Sequence, residues 1–130
     1  MQIELRDGRG HILRPKGSTI LTRVAVNGVS GVFIVDTGAS FVTLTPAFAQ
    51  RSVVDVGGDT ARISTANGTV ESKLGSALSV KVRRVEATKV PIIVNPGSLG
   101  QNIDGLLGMS FLAPFEFTVG ASEWRLAPKR

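Results

Sequence analysis

The 130-residue chain contains no cysteine and no tyrosine, and it has a single histidine, His11. Without cysteine it cannot form a disulfide framework, a thiolate nucleophile or a cysteine-ligated zinc site. A serine-histidine relay would have to be built around His11, because the sequence offers no other imidazole. These absences exclude most active sites that depend on thiols or imidazoles, and neither a cofactor nor a metal is expected.

Long apolar segments are missing as well. No run approaches the roughly 20 apolar residues that span a bilayer, and residues 1–7 lack the basic, apolar and small-residue order of a secretory signal. We therefore expect a soluble domain without membrane contact, either cytoplasmic or part of a longer anchored or exported protein. With 42% hydrophobic and 19% charged residues the composition is globular, and the length fits one domain over residues 1–130.

The net charge of +5 raises the question of nucleic acid, but the fifteen basic residues are scattered. Arg83-Arg84 is the one adjacent internal pair, and the aromatic residues do not alternate with basic ones as a base-stacking surface requires. Nucleic acid is therefore not expected as a partner. A small β-barrel that binds nucleic acid stays open as an alternative on the charge alone.

Fifteen glycines, six prolines and short runs of β-branched residues indicate a mostly β chain. Turn residues between apolar runs predict four hairpins, over 3–13, 22–35, 60–74 and 115–126. Further strands are predicted over 41–44, 78–82 and 90–94, followed by a polar loop over 95–102. Short helices are predicted over 46–50, with Thr45 as the N-cap, and over 109–112, where Pro114 ends the helix.

One acidic residue stands apart from the rest. Asp36 follows the apolar run 31–35 and begins the turn Asp36-Thr37-Gly38. A carboxylate at the end of a buried strand can be desolvated, Gly38 lets the backbone turn close to it, and the hydroxyls of Thr37 and Ser40 can donate hydrogen bonds to it. The tripeptide alone is equally consistent with an ordinary tight turn, because Asp and Gly dominate turns for conformational reasons.

The wider context resembles the retropepsin-like aspartic proteases. Residues 35–40 read Val-Asp-Thr-Gly-Ala-Ser, a hairpin turns at Asn67-Gly68, and Leu106-Leu107-Gly108 precedes a short helix, all in the order of that family. The stretches Ser-Thr-Ala-Asn-Gly and Leu-Leu-Gly-Met-Ser-Phe-Leu are similar to those of its bacterial single-domain branch. The resemblance implies the acid-protease fold, a closed β-barrel or sandwich with a flap hairpin and one or two short helices.

The resemblance also implies roles for three groups of residues. Asp36 would be catalytic, supported in the active-site loop by Thr37, Gly38, Ala39 and Ser40. The flap tip that binds substrate would consist of Ala66, Asn67, Gly68 and Thr69, although an ordinary surface hairpin explains the same Asn-Gly turn. An apolar segment packed against the catalytic loop would be formed by Leu106, Leu107 and Gly108.

Aspartic proteolysis uses two carboxylates that share one proton, as is established for this family. The chain has one Asp-Thr-Gly, and Asp104, in Ile103-Asp104-Gly105, is typical of a turn residue. The resemblance therefore implies a homodimeric aspartic endopeptidase with Asp36 of each subunit at a two-fold axis, a peptide or protein substrate, and mildly acidic activity. A catalytically idle domain of the same fold, used for dimerisation or peptide binding, is the alternative, since a fold does not guarantee an activity.

Overall fold

A computed structural model describes residues 20–65, 68–119 and 124–128. The strands are β1 Leu21–Val26, β2 Val29–Val35, β3 Val42–Leu44, β4 Asp55–Thr65, β5 Gly68–Val82, β6 Val85–Val94, β7 Gly105–Leu107, β8 Phe115–Val119 and β9 Trp124–Pro128. The helices are α1 Pro46–Ser52 and α2 Met109–Leu112. Within these ranges no helix has the length and apolar character needed to cross a membrane. The hairpin predicted over 3–13 lies outside the described residues.

Six strands close into a barrel. Their order is β1-β2-β7-β3-β6-β5, and β5 pairs back onto β1 at Ala25↔Lys81 and Val26↔Val80. Strand β4 pairs with β5 and forms with it the predicted hairpin, while β8 and β9 form a separate two-stranded sheet. The prediction of a mostly β, closed barrel with a flap hairpin and short helices is confirmed.

The barrel interior is apolar because successive strand side chains point to opposite faces, and one face of each strand turns inward. The largest fully buried side chains are contributed by strands and by both helices: Phe33, Phe48, Phe111, Leu44, Ile92, Leu107, Leu112, Val24, Val26, Val42 and Val80. The rings of Phe33 and Phe48 meet edge to face, 5.5 Å between centroids, which packs α1 against β2. This core supports the loop that leaves the end of β2.

The turn between β1 and β2 shows how local sequence and distant contacts combine. Asn27 and Gly28 have φ values of 51° and 84°, as the predicted Asn-Gly hairpin turn requires. The Asn27 side chain also accepts a hydrogen bond from the Ser79 N–H at 3.1 Å and donates one to the Ser52 carbonyl at 3.0 Å. It therefore joins the hairpin to β5 and to the end of α1, contacts that the turn signal did not predict.

The predicted strands 69–74 and 78–82 are parts of one strand, β5, so the predicted break between them is wrong. The prediction left residues 75–77 between two strands, but these residues continue β5 in the structure, and Gly75 allows close approach to β4. A Cβ at this position would collide with the Asp55 carbonyl oxygen of the neighbouring strand. The β4–β5 register also shifts between Val56 and Thr60, which bends this sheet without ending β5.

Candidate active site

Asp36 lies where β2 leaves the barrel, and its side chain is half-buried. The residue before it, Val35, pairs with Leu107 of β7 and donates its N–H to the Ile20 carbonyl at 3.0 Å. The Asp36 N–H donates to the Leu107 carbonyl at 3.1 Å. Because chain segments on both sides hold the end of β2, the position of the Asp36 backbone is fixed by the barrel itself.

The Asp36 carboxylate is oriented by a backbone amide. The Gly38 N–H donates to Oδ1 of Asp36 at 2.9 Å, and the Ala39 N–H donates to the Asp36 carbonyl at 3.2 Å. Sequence reasoning expected the hydroxyls of Thr37 and Ser40 in this role, but within the described part of the chain neither donates to the carboxylate. The tight turn instead places the Gly38 N–H within hydrogen-bond distance of Oδ1.

The segment around β7 lies directly against this loop. Strand β7 runs between β2 and β3, with Leu106 opposite both Ile34 and Thr43. The Met109 N–H donates to the Ala39 carbonyl at 2.8 Å, and a Cβ at Gly108 would collide with the carbonyl oxygens of Phe41 and Ala39. A residue larger than glycine at 108 would therefore push the Asp36 loop out of position.

Ser110 forms hydrogen bonds where the same loop enters β3. Its hydroxyl donates to the Pro91 carbonyl at 2.7 Å and accepts the Val42 N–H at 2.8 Å, so α2, β6 and the start of β3 meet at one oxygen. Sequence reasoning did not single out Ser110. A serine in a short helix carries no signal for partners that lie 19 and 68 residues away.

Asp104 is committed to a structural role. Its Oδ2 accepts the Val32 N–H at 2.9 Å, and its Oδ1 pairs with Nη2 of Arg51 at 3.3 Å. The Arg51 guanidinium also lies over the Phe48 ring, 5.1 Å from the centroid. Val32 precedes Asp36 by four strand residues, about 13 Å at roughly 3.3 Å per residue. Asp104 therefore links β2 to α1, and it does not reach the Asp36 carboxylate.

An apolar row lies on the outer face of the barrel next to Asp36. Leu21 is opposite Ile34, and Ile34 is opposite Leu106, so the three side chains are neighbours across three strands. Leu21 is 47% exposed and the other two are half-buried. Sequence reasoning named Leu106 but missed Leu21 and Ile34, because an uninterrupted apolar run does not reveal which side chains point outward.

The predicted flap is only partly described. Gly68, with φ of 116°, lies opposite Thr65, and Thr69 follows it in β5, while Ala66 and Asn67 lie outside the described residues. Below the tip, Ile63 and Val70 are half-buried, whereas Arg62 and Glu71 are exposed. One face of the hairpin is therefore more apolar, and the opposite face is charged. Across the described ranges, no three His, Cys, Asp or Glu side chains are placed to hold a metal ion.

Comparisons with known proteins agree with this geometry. The family model described as "gag-polyprotein putative aspartyl protease" matches residues 22–114. A retropepsin-like aspartic protease from Rickettsia conorii is 32% identical, with a TM-score of 0.66 over 85% of this chain and 91% of that one. EIAV protease complexed with the inhibitor HBY-793 shares the fold at 20% identity, with a TM-score of 0.59 over 77% and 90% of the two chains. No curated protein sequence matches. The chain belongs to the retropepsin-like family of aspartic proteases.

Proposed function

We propose that the protein is a homodimeric aspartic endopeptidase, in which a water is activated between two Asp36 carboxylates, one from each subunit. The observation that carries this proposal is the placement of Asp36. Asp36 is a half-buried residue at the end of a barrel strand, its carboxylate is oriented by the Gly38 N–H, and its loop is held by Leu107 and Met109. Membership of a family of aspartic proteases supports assigning the chemistry to this carboxylate.

In this proposal the second carboxylate comes from a second copy of the chain, because no other acidic residue of the described ranges lies beside Asp36. The Asp104 carboxylate accepts the Val32 N–H and pairs with Arg51. Val32 lies four residues before Asp36 along β2, so Asp104 is well separated from Asp36. The other acidic residues in the described ranges are exposed and lie on other strands: Asp55, Asp59, Glu71, Glu86 and Glu116. A two-fold dimer would bring the same loop of both subunits to one axis and supply two Asp36 residues at once.

In such a dimer the chemistry follows from one proton shared by two carboxylates, as is established for aspartic proteases. The ionised Asp36 takes a proton from the water as the water attacks the scissile carbonyl carbon, and the protonated Asp36 gives its proton to the carbonyl oxygen. Collapse of the tetrahedral intermediate breaks the C–N bond, and the leaving nitrogen receives a proton from the pair. The barrel holds the carboxylates, so little reorganisation is needed.

The surroundings of Asp36 favour an extended peptide substrate. Outward-facing backbone groups of the flap hairpin can pair with the main chain of a peptide, as an added strand does. The apolar row Leu21, Ile34 and Leu106 offers a surface for an apolar side chain close to the scissile bond. This arrangement favours cleavage next to apolar residues.

The test is cleavage of an unfolded protein by the wild type and by Asp36→Asn, between pH 4 and 8 and over a dilution series. Turnover should be favoured by acid, vanish in the variant, and fall faster than linearly on dilution, because two chains form one site. Asp59→Asn, which changes an exposed acid on β4, is the matched control and should remain active. A sample shown to be dimeric that cleaves nothing at any pH would favour the idle, peptide-binding domain.

A further inference from the structure

Ser72, on the β5 arm of the flap hairpin, is a buried polar side chain without a partner. It is 1% exposed, and its hydroxyl forms no hydrogen bond with any of the described residues. Ser72 lies opposite Ala61 of β4, and Val70 lies opposite Ile63 two residues nearer the tip. Because alternate residues of a strand share a face, these four side chains lie on one face of the hairpin, and the hydroxyl is surrounded there by apolar neighbours.

The unpartnered hydroxyl makes the described position of the hairpin less favourable. In water a hydroxyl is hydrogen-bonded, and burying it without a new partner costs free energy. Buried serines are normally satisfied, as Ser52 is: it is also 1% exposed, and its hydroxyl donates to the Phe48 carbonyl at 2.7 Å. A movement that brings Ser72 into contact with water would therefore recover much of this cost.

Strand β4 has a discontinuity that permits such a movement. The β4–β5 register shifts between Val56 and Thr60, so that β4 has three residues, 57–59, where β5 has one. Gly57 and Gly58 are exposed, and a Cβ built on either would meet no atom within 4 Å. Glycines in an open bulge can change their backbone angles at little steric cost, which is the property of a hinge.

The hairpin beyond this bulge has few ties to the barrel. We call residues 60–65 and 68–73 the distal hairpin. Pairing of β5 with β6 ends at Lys73, opposite Val94, so within the described ranges residues 68–72 pair with β4 alone. The distal hairpin is therefore held in place mainly by the covered face that contains Ser72.

We propose that Ser72 is a positioning residue that sets the balance between two positions of the distal hairpin. In the described position the face is covered and the hydroxyl has no partner. In the other position the hairpin has swung away at the bulge, and water binds the hydroxyl. This balance follows from the hairpin itself, whereas its consequence for peptide turnover rests on the proposed function.

Urea unfolding at one protein concentration is the first test. Ser72→Ala removes the unpartnered hydroxyl and should raise the midpoint, with the unfolding constant lowered on the order of fivefold. Ser52→Ala is the matched control, because it removes the same atom from an equally buried serine whose hydroxyl has a partner, and it should lower the midpoint. An unchanged or lower midpoint for Ser72→Ala would overturn the proposal, since the hydroxyl would then already be satisfied by a buried water.

Amide hydrogen exchange tests the movement, and it is measured on the Asp36→Asn protein so that cleavage plays no part. A two-stranded hairpin alone is marginal in water, so amides of the distal hairpin should exchange when it swings away. They should exchange faster than amides of β2 and with a weaker dependence on urea, and Ser72→Ala should slow them on the order of fivefold. Ser64→Ala, at an exposed position of the same hairpin, should not slow them. Distal-hairpin amides as protected and as urea-dependent as those of β2 would refute a separate movement.

Turnover connects the balance to the proposed enzyme. Where a peptide enters only after the hairpin swings away, Ser72→Ala should lower kcat/KM for a fluorogenic peptide by up to the factor by which exchange slows. The pH profile should stay unchanged, because Ser72 does not touch the reacting atoms. A more stable variant with unchanged kcat/KM would overturn the role in peptide entry. A protein that cleaves nothing but shows the expected change in exchange would support the role of Ser72 and overturn the proposed protease function instead.

Discussion

Ser110 offers the sharpest test of how the Asp36 loop is held. Ser110→Ala removes both hydrogen bonds of the hydroxyl and leaves the Val42 N–H and the Pro91 carbonyl without that partner. A neutral hydrogen bond contributes about 1 kcal/mol net, and a buried donor left unsatisfied costs about 1–3 kcal/mol. Because Val42 is fully buried and the Pro91 side is exposed to water, we expect a loss of about 2 kcal/mol, dominated by Val42.

For a chain of this size, a loss of that magnitude lowers the Tm by roughly 7 °C. The assay is thermal and urea unfolding of the wild type, Ser110→Ala, Ser110→Thr and the exposed-strand control Ser76→Ala at one protein concentration, because a dimer is stabilised by mass action. Ser110→Thr keeps the hydroxyl and should recover much of the loss, while Ser76→Ala should stay close to wild type. A Ser110→Ala protein within about 0.5 kcal/mol of wild type would refute the reasoning, since that is the range of ordinary surface changes.

Four further outcomes follow from the structure. If the proposed dimer works through one proton shared by two carboxylates, the pH profile of cleavage should be bell-shaped and fall towards neutral pH; activity that keeps rising above pH 7 would contradict the shared-proton mechanism. Gly108→Ala should lower kcat, because its Cβ meets the Phe41 and Ala39 carbonyls of the Asp36 loop and displaces that loop; an unchanged kcat, with urea unfolding showing a folded protein, would argue that the loop position does not matter for turnover. Asn27→Gly keeps the turn but loses the contacts to Ser79 and Ser52, so it should cost about 1–3 kcal/mol in urea unfolding; a neutral result would mean that water replaces both bonds. Leu106→Ala should weaken the preference for large apolar side chains beside the scissile bond, measured with a peptide library; an unchanged preference would mean that the apolar row does not contact those side chains.

Local signals in the sequence predicted much of the fold. The Asn27-Gly28 turn, the Thr45 N-cap followed by Pro46, and the helix that Pro114 ends depend on neighbouring residues, and all have the predicted structure. The Thr45 hydroxyl accepts the Phe48 N–H at 3.2 Å, as an N-cap does. The gap predicted over 75–77 was wrong, because Gly75 continues the strand and makes a close contact with Asp55 that the local sequence does not reveal.

In the candidate site, too, the sequence predicts some of the contacts and does not predict others. The contacts that hold Asp36 are mostly made by the backbone, through the Gly38 N–H and the Leu107 and Ala39 carbonyls. Gly108 contributes by having no Cβ, which leaves room for the carbonyls of the Asp36 loop. Backbone contacts constrain side chains chiefly by requiring small ones, so they leave a glycine-rich motif that can be recognised in sequence. Ser110, Asp104 and Asn27 act instead through side chains on partners far away in the chain.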